Sequence, residues 1–205
     1  MYLESLDGTD GFQVKGSWND YSGGSVSSAG DVNGDGFDDV IIGASSDGDT
    51  CVVFGKSSGF VSEIIIADLD GTNGFMFDQA RLSVSSAGDV NGDGYDDLII
   101  NGSWVVFGKS ESFGSRFYLS TLDGTNGFHL DRIGEVSSAG DVNGDGYDDL
   151  IIGAYYADPD AKPNAGETYV VFGKSSGFAA VIALASLDGL NGFQLRGINA
   201  YDHSG

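Results

Sequence analysis

Basic residues, cysteine and proline are all scarce in this chain. Its 205 residues include nine Lys and Arg, one Cys and two Pro, against 31 Asp and Glu, and the formal net charge is −22. A surface this acidic repels phosphate groups, and no basic stripe offsets the repulsion, so we expect no nucleic-acid binding. No apolar run reaches the roughly 18 residues of a membrane-spanning helix. Cys51 has no second cysteine with which to form an intrachain disulfide.

The most informative feature is a nine-residue string, Asp-Val-Asn-Gly-Asp-Gly-(Phe/Tyr)-Asp-Asp, at residues 31–39, 89–97 and 141–149. Oxygen side chains at its first, third, fifth and ninth positions, with a backbone carbonyl at the seventh, can surround Ca²⁺, which takes six to eight oxygen ligands at about 2.3–2.6 Å. The glycines let the backbone curve sharply enough for alternate side chains to converge. The predicted ligands are Asp31, Asn33, Asp35, Phe37 and Asp39; Asp89, Asn91, Asp93, Tyr95 and Asp97; and Asp141, Asn143, Asp145, Tyr147 and Asp149.

Two other structures could use such a string. Asn-Gly and Asp-Gly are common hairpin connectors that need no metal, but four Asp in nine residues repel one another unless a cation lies among them. An EF-hand needs a glutamate at the twelfth position and helices on both sides, whereas that position is Ile42, Ile100 or Ile152. The apolar, β-branched run after each string predicts a strand. We therefore predict three calcium sites, each in a loop between strands.

The string belongs to a longer repeat. Each unit runs through Ser-Ser-Ala-Gly before the loop, Ile-Ile after it, then Val-Val-Phe-Gly-Lys and Leu-Asp-Gly-x-Asn-Gly-Phe, and the loops begin 58 and 52 residues apart. Four short strands fit each unit, which predicts an all-β fold of β-propeller blades, each of four antiparallel strands. We predict a partial propeller of three blades at 24–80, 81–132 and 133–198, with an outer strand of a preceding blade at 1–23 and the start of a next blade at 199–205.

Two parts of this architecture bear on partners. The first and last blades would have uncovered apolar flanks, and stacked units need neighbours or caps, so we expect self-association or further blades to close the propeller. The third blade has an insertion at residues 154–168 that contains Tyr155 and Tyr156. It is either a binding loop, since such insertions often have a function, or an ordinary solvated loop.

No enzyme is expected, because a catalytic residue should be a singular addition to the repeat. Cys51, His129 and His203 all stand at positions where other units have unrelated residues. Paired carboxylates at the eighth and ninth loop positions are of the kind that glycosidases use. Consecutive strand residues point to opposite faces, so only the ninth is a predicted ligand. We expect the eighth to support the loop or to form part of its turn; these residues are Asp38, Asp96 and Asp148.

These markers resemble the FG-GAP repeats of integrin α-subunit β-propellers and of their bacterial relatives. The Phe-Gly element is Phe54-Gly55, Phe107-Gly108 and Phe172-Gly173, and the Gly-Ala element is Gly43-Ala44 and Gly153-Ala154. The family has calcium on a loop of this type between the two elements. Proline does not follow Gly-Ala here, and the second blade has Asn101-Gly102 instead. The near-identity of the units is more like bacterial surface proteins than animal integrins.

The resemblance implies a non-enzymatic, calcium-stabilised module of an extracellular or cell-surface adhesion protein, whose protein, matrix or carbohydrate ligand is unknown. Two alternatives stay open: a lectin-like carbohydrate-binding propeller that uses exposed aromatics such as Trp18, Tyr155 and Tyr156, and an accessory domain of a secreted enzyme. A further possibility is a repeat fragment that has no binding partner of its own.

Overall fold

The computed structural model describes residues 6–16, 22–44, 50–78, 83–132 and 134–205, and their regular structure is almost entirely β. Short 3₁₀ turns lie at Ile66–Asp68, Leu119–Thr121, Pro159–Ala161 and Leu184–Ser186. Within these ranges no helix is long and apolar enough to cross a bilayer. The strands are β1 (Gln13–Lys15), β2 (Ser22–Gly30), β3 (Asp39–Ala44), β4 (Cys51–Val53), β5 (Glu63–Ile65), β6 (Gly74–Asp78), β7 (Val84–Gly88), β8 (Asp97–Ile100), β9 (Trp104–Val106), β10 (Arg116–Tyr118), β11 (Gly127–Leu130), β12 (Glu135–Gly140), β13 (Asp149–Ala154), β14 (Glu167–Val171), β15 (Val181–Ile182) and β16 (Gly192–Arg196).

Three antiparallel sheets repeat along the described part of the chain. Blade one has the strand order β2-β3-β4-β6, blade two β7-β8-β9-β11, and blade three β12-β13-β14-β16. The second and third strands of each blade are short apolar runs, as a sheet with neighbours on both faces requires. The predicted all-β fold, with blades of four antiparallel strands in a partial propeller, is confirmed.

A parallel strand from the following blade extends the outer edge of the sheets of blades one and two. β10, which lies between the third and fourth strands of blade two, pairs with β6 of blade one. In the same way β15 of blade three pairs with β11 of blade two, and β5 of blade one pairs with β1. These segments are two or three residues long and have no clear alternation, so the sequence did not predict them.

The hydrophobic core lies between blades rather than within one sheet. One cluster combines side chains of blades one and two, including Ile41, Phe75 and Leu98. A second combines blades two and three, including Ile99, Phe128 and Leu150. β8 of blade two thus contributes one face to the core shared with blade one and the other to the core shared with blade three, because successive side chains alternate across a strand.

The open flanks, which are the faces of blades one and three that no described blade covers, expose residues whose counterparts are buried between blades. Val26 of blade one is 68% exposed, whereas its counterpart in blade two, Val84, is 5% exposed. Ile151 of blade three is 39% exposed, whereas its counterpart in blade two, Ile99, is 1% exposed. The residues are of equal type in equal positions, so their exposure depends on whether a neighbouring blade lies over them.

Stacked phenylalanines join consecutive blades at the outer edge. Phe113, from the segment before β10, stacks on Phe75 of blade one with 4.3 Å between ring centroids. Phe178 stacks on Phe128 at 4.9 Å. The ammonium group of Lys109 lies 4.9 Å from the centroid of the Phe113 ring, which adds a cation–π contact.

We expect Phe113→Ala to lower the free energy of unfolding by about 3–5 kcal/mol, the usual cost of removing a buried phenyl ring. Tyr118→Ala is the control, because Tyr118 lies in the same edge segment but is exposed; its cost should stay within about 0.5 kcal/mol. Urea denaturation at a fixed calcium concentration measures both. Equal losses in the two variants would contradict the role given to the stack.

Candidate metal centre

The three acidic strings form equivalent loops between the first and second strands of their blades. Loop 1 (residues 31–39) joins β2 to β3, loop 2 (89–97) joins β7 to β8, and loop 3 (141–149) joins β12 to β13. The register between the two strands shifts at the last residues before each loop. The ninth residue of each string is the first residue of the second strand, so the sheet fixes its position.

The first-position aspartate organises the turn. Asp31 Oδ1 accepts hydrogen bonds from the backbone amides of Gly34 at 2.7 Å and Asp35 at 3.0 Å, and its Oδ2 accepts one from Gly36 at 2.9 Å. Gly34 and Gly36 have φ of 73° and 88°, in the left-handed region that favours glycine. The corresponding bonds recur around Asp89 and Asp141.

The third and fifth positions bond to one another and to the turn. Asn33 Oδ1 accepts from the amide of Asp35 at 2.9 Å, and Asp35 Oδ1 accepts from the amide of Phe37 at 3.0 Å. The side-chain amide of Asn33 donates to Asp35 Oδ2 at 3.3 Å. These contacts are repeated in loops 2 and 3.

The ninth-position aspartate is buried and connects two turns. Asp39 Oδ2 accepts from the amide of Val32 in its own loop at 3.1 Å, and its Oδ1 accepts from the amide of Gly55 at 2.7 Å. Gly55 is the glycine of the Phe-Gly element. Asp97 and Asp149 make the same pair of contacts. The sequence did not predict this contact, although a Phe-Gly pair follows every loop, because its glycine lies 16, 11 or 24 residues after the aspartate.

Burial sets the charge of these carboxyl groups. Burial and, to a smaller extent, the nearby carboxylates of Asp35 and Asp31 raise the pKa of Asp39 to about 7, against the lowering effect of the two amide hydrogen bonds. The pKa of Asp97 is raised well above its usual value for the same reasons. The carboxylates of one loop are therefore close enough to repel, which a cation among them would reverse.

The donor set suits a hard divalent cation. No group of three or more His, Cys, Asp and Glu side chains in the described ranges forms a metal-binding cluster by itself, but the predicted set also counts an asparagine oxygen and a backbone carbonyl. Each carboxylate has about four lone-pair sites, so Asp39, with two amide bonds, retains acceptor capacity. Oxygen-only donors in a flexible glycine-rich loop are the chemistry that Ca²⁺ prefers.

The three singular residues of the repeat have different surroundings. Cys51 is buried. The ring of His129 lies 4.1 Å from that of Trp104, and burial lowers its pKa, partly offset by the carboxylate of Asp131. His203 Nδ1 lies 3.3 Å from the backbone carbonyl oxygen of Tyr155.

The insertion of blade three presents a pair of exposed aromatic rings. Tyr155 and Tyr156 have ring centroids 4.1 Å apart, and the hydrogen bond between them raises the pKa of Tyr155. A cavity of about 320 Å³ is lined by these tyrosines and by Arg132. Trp18, the third aromatic predicted for a binding surface, lies outside the described residues.

Similarity to known proteins follows the same repeats. The FG-GAP repeat family matches residues 22–64, 82–107 and 134–171, which together exceed half of the chain. The chain is 30% identical over 181 residues to integrin alpha pat-2 of Caenorhabditis briggsae, covering 75% of this chain and 14% of that protein.

Two other relatives show the same pattern. Integrin alpha pat-2 of Caenorhabditis elegans is 28% identical over 218 residues, covering 89% of this chain and 17% of its own length. Integrin alpha-PS5 of Drosophila melanogaster is 34% identical over 143 residues, covering 60% and 14%. The chain thus spans less than a fifth of the length of these relatives. With its loops, its Phe-Gly turns and the match over three segments, the chain belongs to the FG-GAP repeat family.

Proposed function

We propose that this chain is a non-catalytic, calcium-binding propeller module with a structural and adhesive role at the cell surface or in the extracellular space. The observation that carries the proposal is the threefold recurrence of an acidic, glycine-rich loop whose ninth-position aspartate is buried or nearly so and accepts an amide hydrogen bond from its own loop. The integrin alpha names of the relatives support the adhesive part. Each blade would bind one Ca²⁺, through the carboxylates, asparagine oxygen and seventh-position carbonyl predicted from the sequence.

The bound ion would supply positive charge that the loop lacks. Asp31, Asp35 and Asp39 repel one another, and Asp39 is withdrawn from water. The chain's own part is to hold the two oxygens of Asp39 in place through the amides of Val32 and Gly55. Because Gly55 begins the turn after β4, a filled loop would fasten the first hairpin of the blade to its third strand.

The size of the effect follows from mass action. At a hundredfold excess of calcium over Kd, one site adds about 2.7 kcal/mol to the free energy of unfolding. Extracellular calcium modules have Kd values of about 10⁻⁴–10⁻³ M, which suits a setting where calcium is abundant. An extracellular location is therefore part of the proposal.

We expect calorimetric titration of chelator-treated protein to give three calcium sites per chain, and two for Asp35→Ala, because that variant loses one ligand and the bond to the Phe37 amide. Its melting temperature should fall below that of the wild type when calcium is present and much less in chelator. Asp68→Ala, an exposed acidic position outside the loops, is the control for charge. An equal loss of melting temperature with and without calcium would argue against a calcium site.

The open flanks are proposed to bind a further blade of the same repeat, which a second copy supplies when the chain is isolated. Val26 and Ile151 lie on opposite flanks and are exposed where their counterparts are buried between blades. The inter-blade cores support this choice. The exposed flank of blade one is equivalent to the face of blade two that packs on blade one, and the exposed flank of blade three is equivalent to the face of blade two that packs on blade three. The two exposed flanks are therefore complementary to each other.

We expect sedimentation or light scattering to show self-association that rises with protein concentration and that Ile151→Asp weakens, because a charge would be buried without a partner. Val61→Asp is the matched control, since Val61 is also exposed but lies in a turn outside the flanks. A monodisperse wild-type monomer at high concentration would rule out the association.

Carbohydrate binding by blade three is the second candidate function. Tyr155 and Tyr156 are exposed beside the cavity that Arg132 lines, and flat aromatic rings next to polar donors suit the mixed apolar and polar faces of a sugar.

We expect a glycan array to show binding that Tyr156→Ala lowers at least tenfold, the equivalent of about 1.4 kcal/mol. Tyr118→Ala removes an exposed tyrosine from a different blade edge and should leave that binding unchanged. No glycan binding by the wild type would leave the adhesive role to protein partners.

A further inference from the structure

The eighth-position aspartates of loops 2 and 3 point toward the preceding blade. Asp96 Oδ2 accepts a hydrogen bond from the backbone amide of Asp31 at 2.9 Å, and the amide of Asp96 donates to the carbonyl of Asp31 at 3.2 Å. Asp148 makes the same two contacts with Asp89, at 2.9 and 3.1 Å. The first-position residue of one loop is thus held on both sides of its backbone by the next loop along the chain.

Glycine at the end of the first strand permits this approach. A Cβ on Gly30 would lie 2.2 Å from Asp96 Oδ2, and one on Gly88 would lie 2.1 Å from Asp148 Oδ2. Both distances are too short for any side chain to fit without displacing the carboxylate. Val32, the second residue of loop 1, also contacts the next blade, because the amide of Lys109 donates a hydrogen bond to its carbonyl oxygen at 2.9 Å.

An aromatic ring adds a second contact between successive loops. A Cβ on Gly34 would lie 2.2 Å from the Cε1 atom of Tyr95, and one on Gly92 would lie 2.2 Å from the same atom of Tyr147. The seventh residue of one loop therefore packs directly on the fourth residue of the loop before it. Both residues of each pair stand within or beside the predicted ligand set.

The two ends of the chain provide a natural comparison. Asp38 is exposed, as is Phe37 beside it, whereas their counterparts in loops 2 and 3 are partly buried. At the other end, a Cβ on Gly140 or Gly144 would meet nothing within 4 Å. Equal residues thus make the inter-loop contact at two junctions and not at the ends.

We propose that Asp96 and Asp148 are positioning residues for the calcium loop of the preceding blade, so that the calcium affinity of each loop depends on the blade that follows it. This inference rests on the proposed calcium function. By fixing the backbone of Asp31, Asp96 sets the direction of the first ligand of loop 1, while the adjacent Asp97 is the ninth ligand of loop 2.

The test is a calcium titration followed by NMR, with the loop glycine amides of each site as separate reporters. We expect Asp96→Ala to weaken calcium binding at loop 1 about tenfold, as loss of a residue that supports a metal ligand commonly does, with loops 2 and 3 changed less than twofold. Asp148→Ala should weaken loop 2 in the same way. Asp38→Ala removes the same charge from loop 1 itself and should leave its affinity within twofold, which separates positioning from electrostatics.

A second pair of variants covers the case in which Asp96→Ala folds poorly. Gly30→Ala places a Cβ against Asp96, whereas Gly140→Ala has a similar φ, 65° against 72°, but open space around it. Both variants place alanine at a similar positive φ, so their backbone strain should be about the same. We expect only Gly30→Ala to lower the calcium affinity of the loop that follows it by more than this strain accounts for. Hydrogen exchange of the Asp31 amide in chelator should also speed up in Asp96→Ala, while that of Asp89 stays protected.

The outcomes separate the inference from the function beneath it. One outcome is that the wild type binds three calcium ions and Asp96→Ala lowers the calcium affinity of loop 2 alone, or of all loops equally. The positioning role of Asp96 is then wrong, and the calcium function stands. If the wild type binds no calcium, the calcium function is wrong and the inference falls with it. A loss confined to the preceding loop in both aspartate variants supports the proposal.

Discussion

The buried carboxylate at the ninth loop position is the contact on which each blade depends. It accepts one amide from its own loop and one from the Phe-Gly turn, so that two turns distant in sequence meet at a single side chain. The group is withdrawn from water, and burial is the main cause of its raised pKa in blades one and two. A carboxylate in this position is stable only with a proton or a cation nearby, which links the fold of the blade to its ion chemistry.

No blade in this chain is complete by itself. Inner strands are apolar on both faces, and each core combines side chains of two consecutive blades. The following blade also contributes a parallel edge strand and a stacked phenylalanine to the blade before it. Packing, backbone pairing and loop contacts all run in the same direction along the chain, from each blade to its predecessor.

This directionality gives identical residues different surroundings. Asp38 and Asp96 stand at the same position of the same string, yet Asp38 is exposed and Asp96 accepts a hydrogen bond from another blade. The equivalent valines of the first strands behave in the same way, because Val26 is exposed and Val84 is buried. A repeat sequence therefore specifies a surface and its complement together, and each is used only where a neighbour is present.

The sequence by itself determined the repeat, the all-β class, the antiparallel blades and the acidic loops between first and second strands. Short apolar runs and glycine-rich turns predict these features, because both depend only on residues that are close in sequence. The spacing of Asp31, Asp35 and Asp39 also comes from the sequence alone, and the calcium site that it predicts is part of the proposed function. Only the tertiary structure decided that the Phe-Gly amide binds Asp39, that β10 and β15 join the preceding sheet, and that Asp96 and Asp148 reach the loop before their own. These contacts join residues 11 to 65 positions apart, and no local pattern encodes them, because they arise when two turns of one blade, or two neighbouring blades, pack against each other.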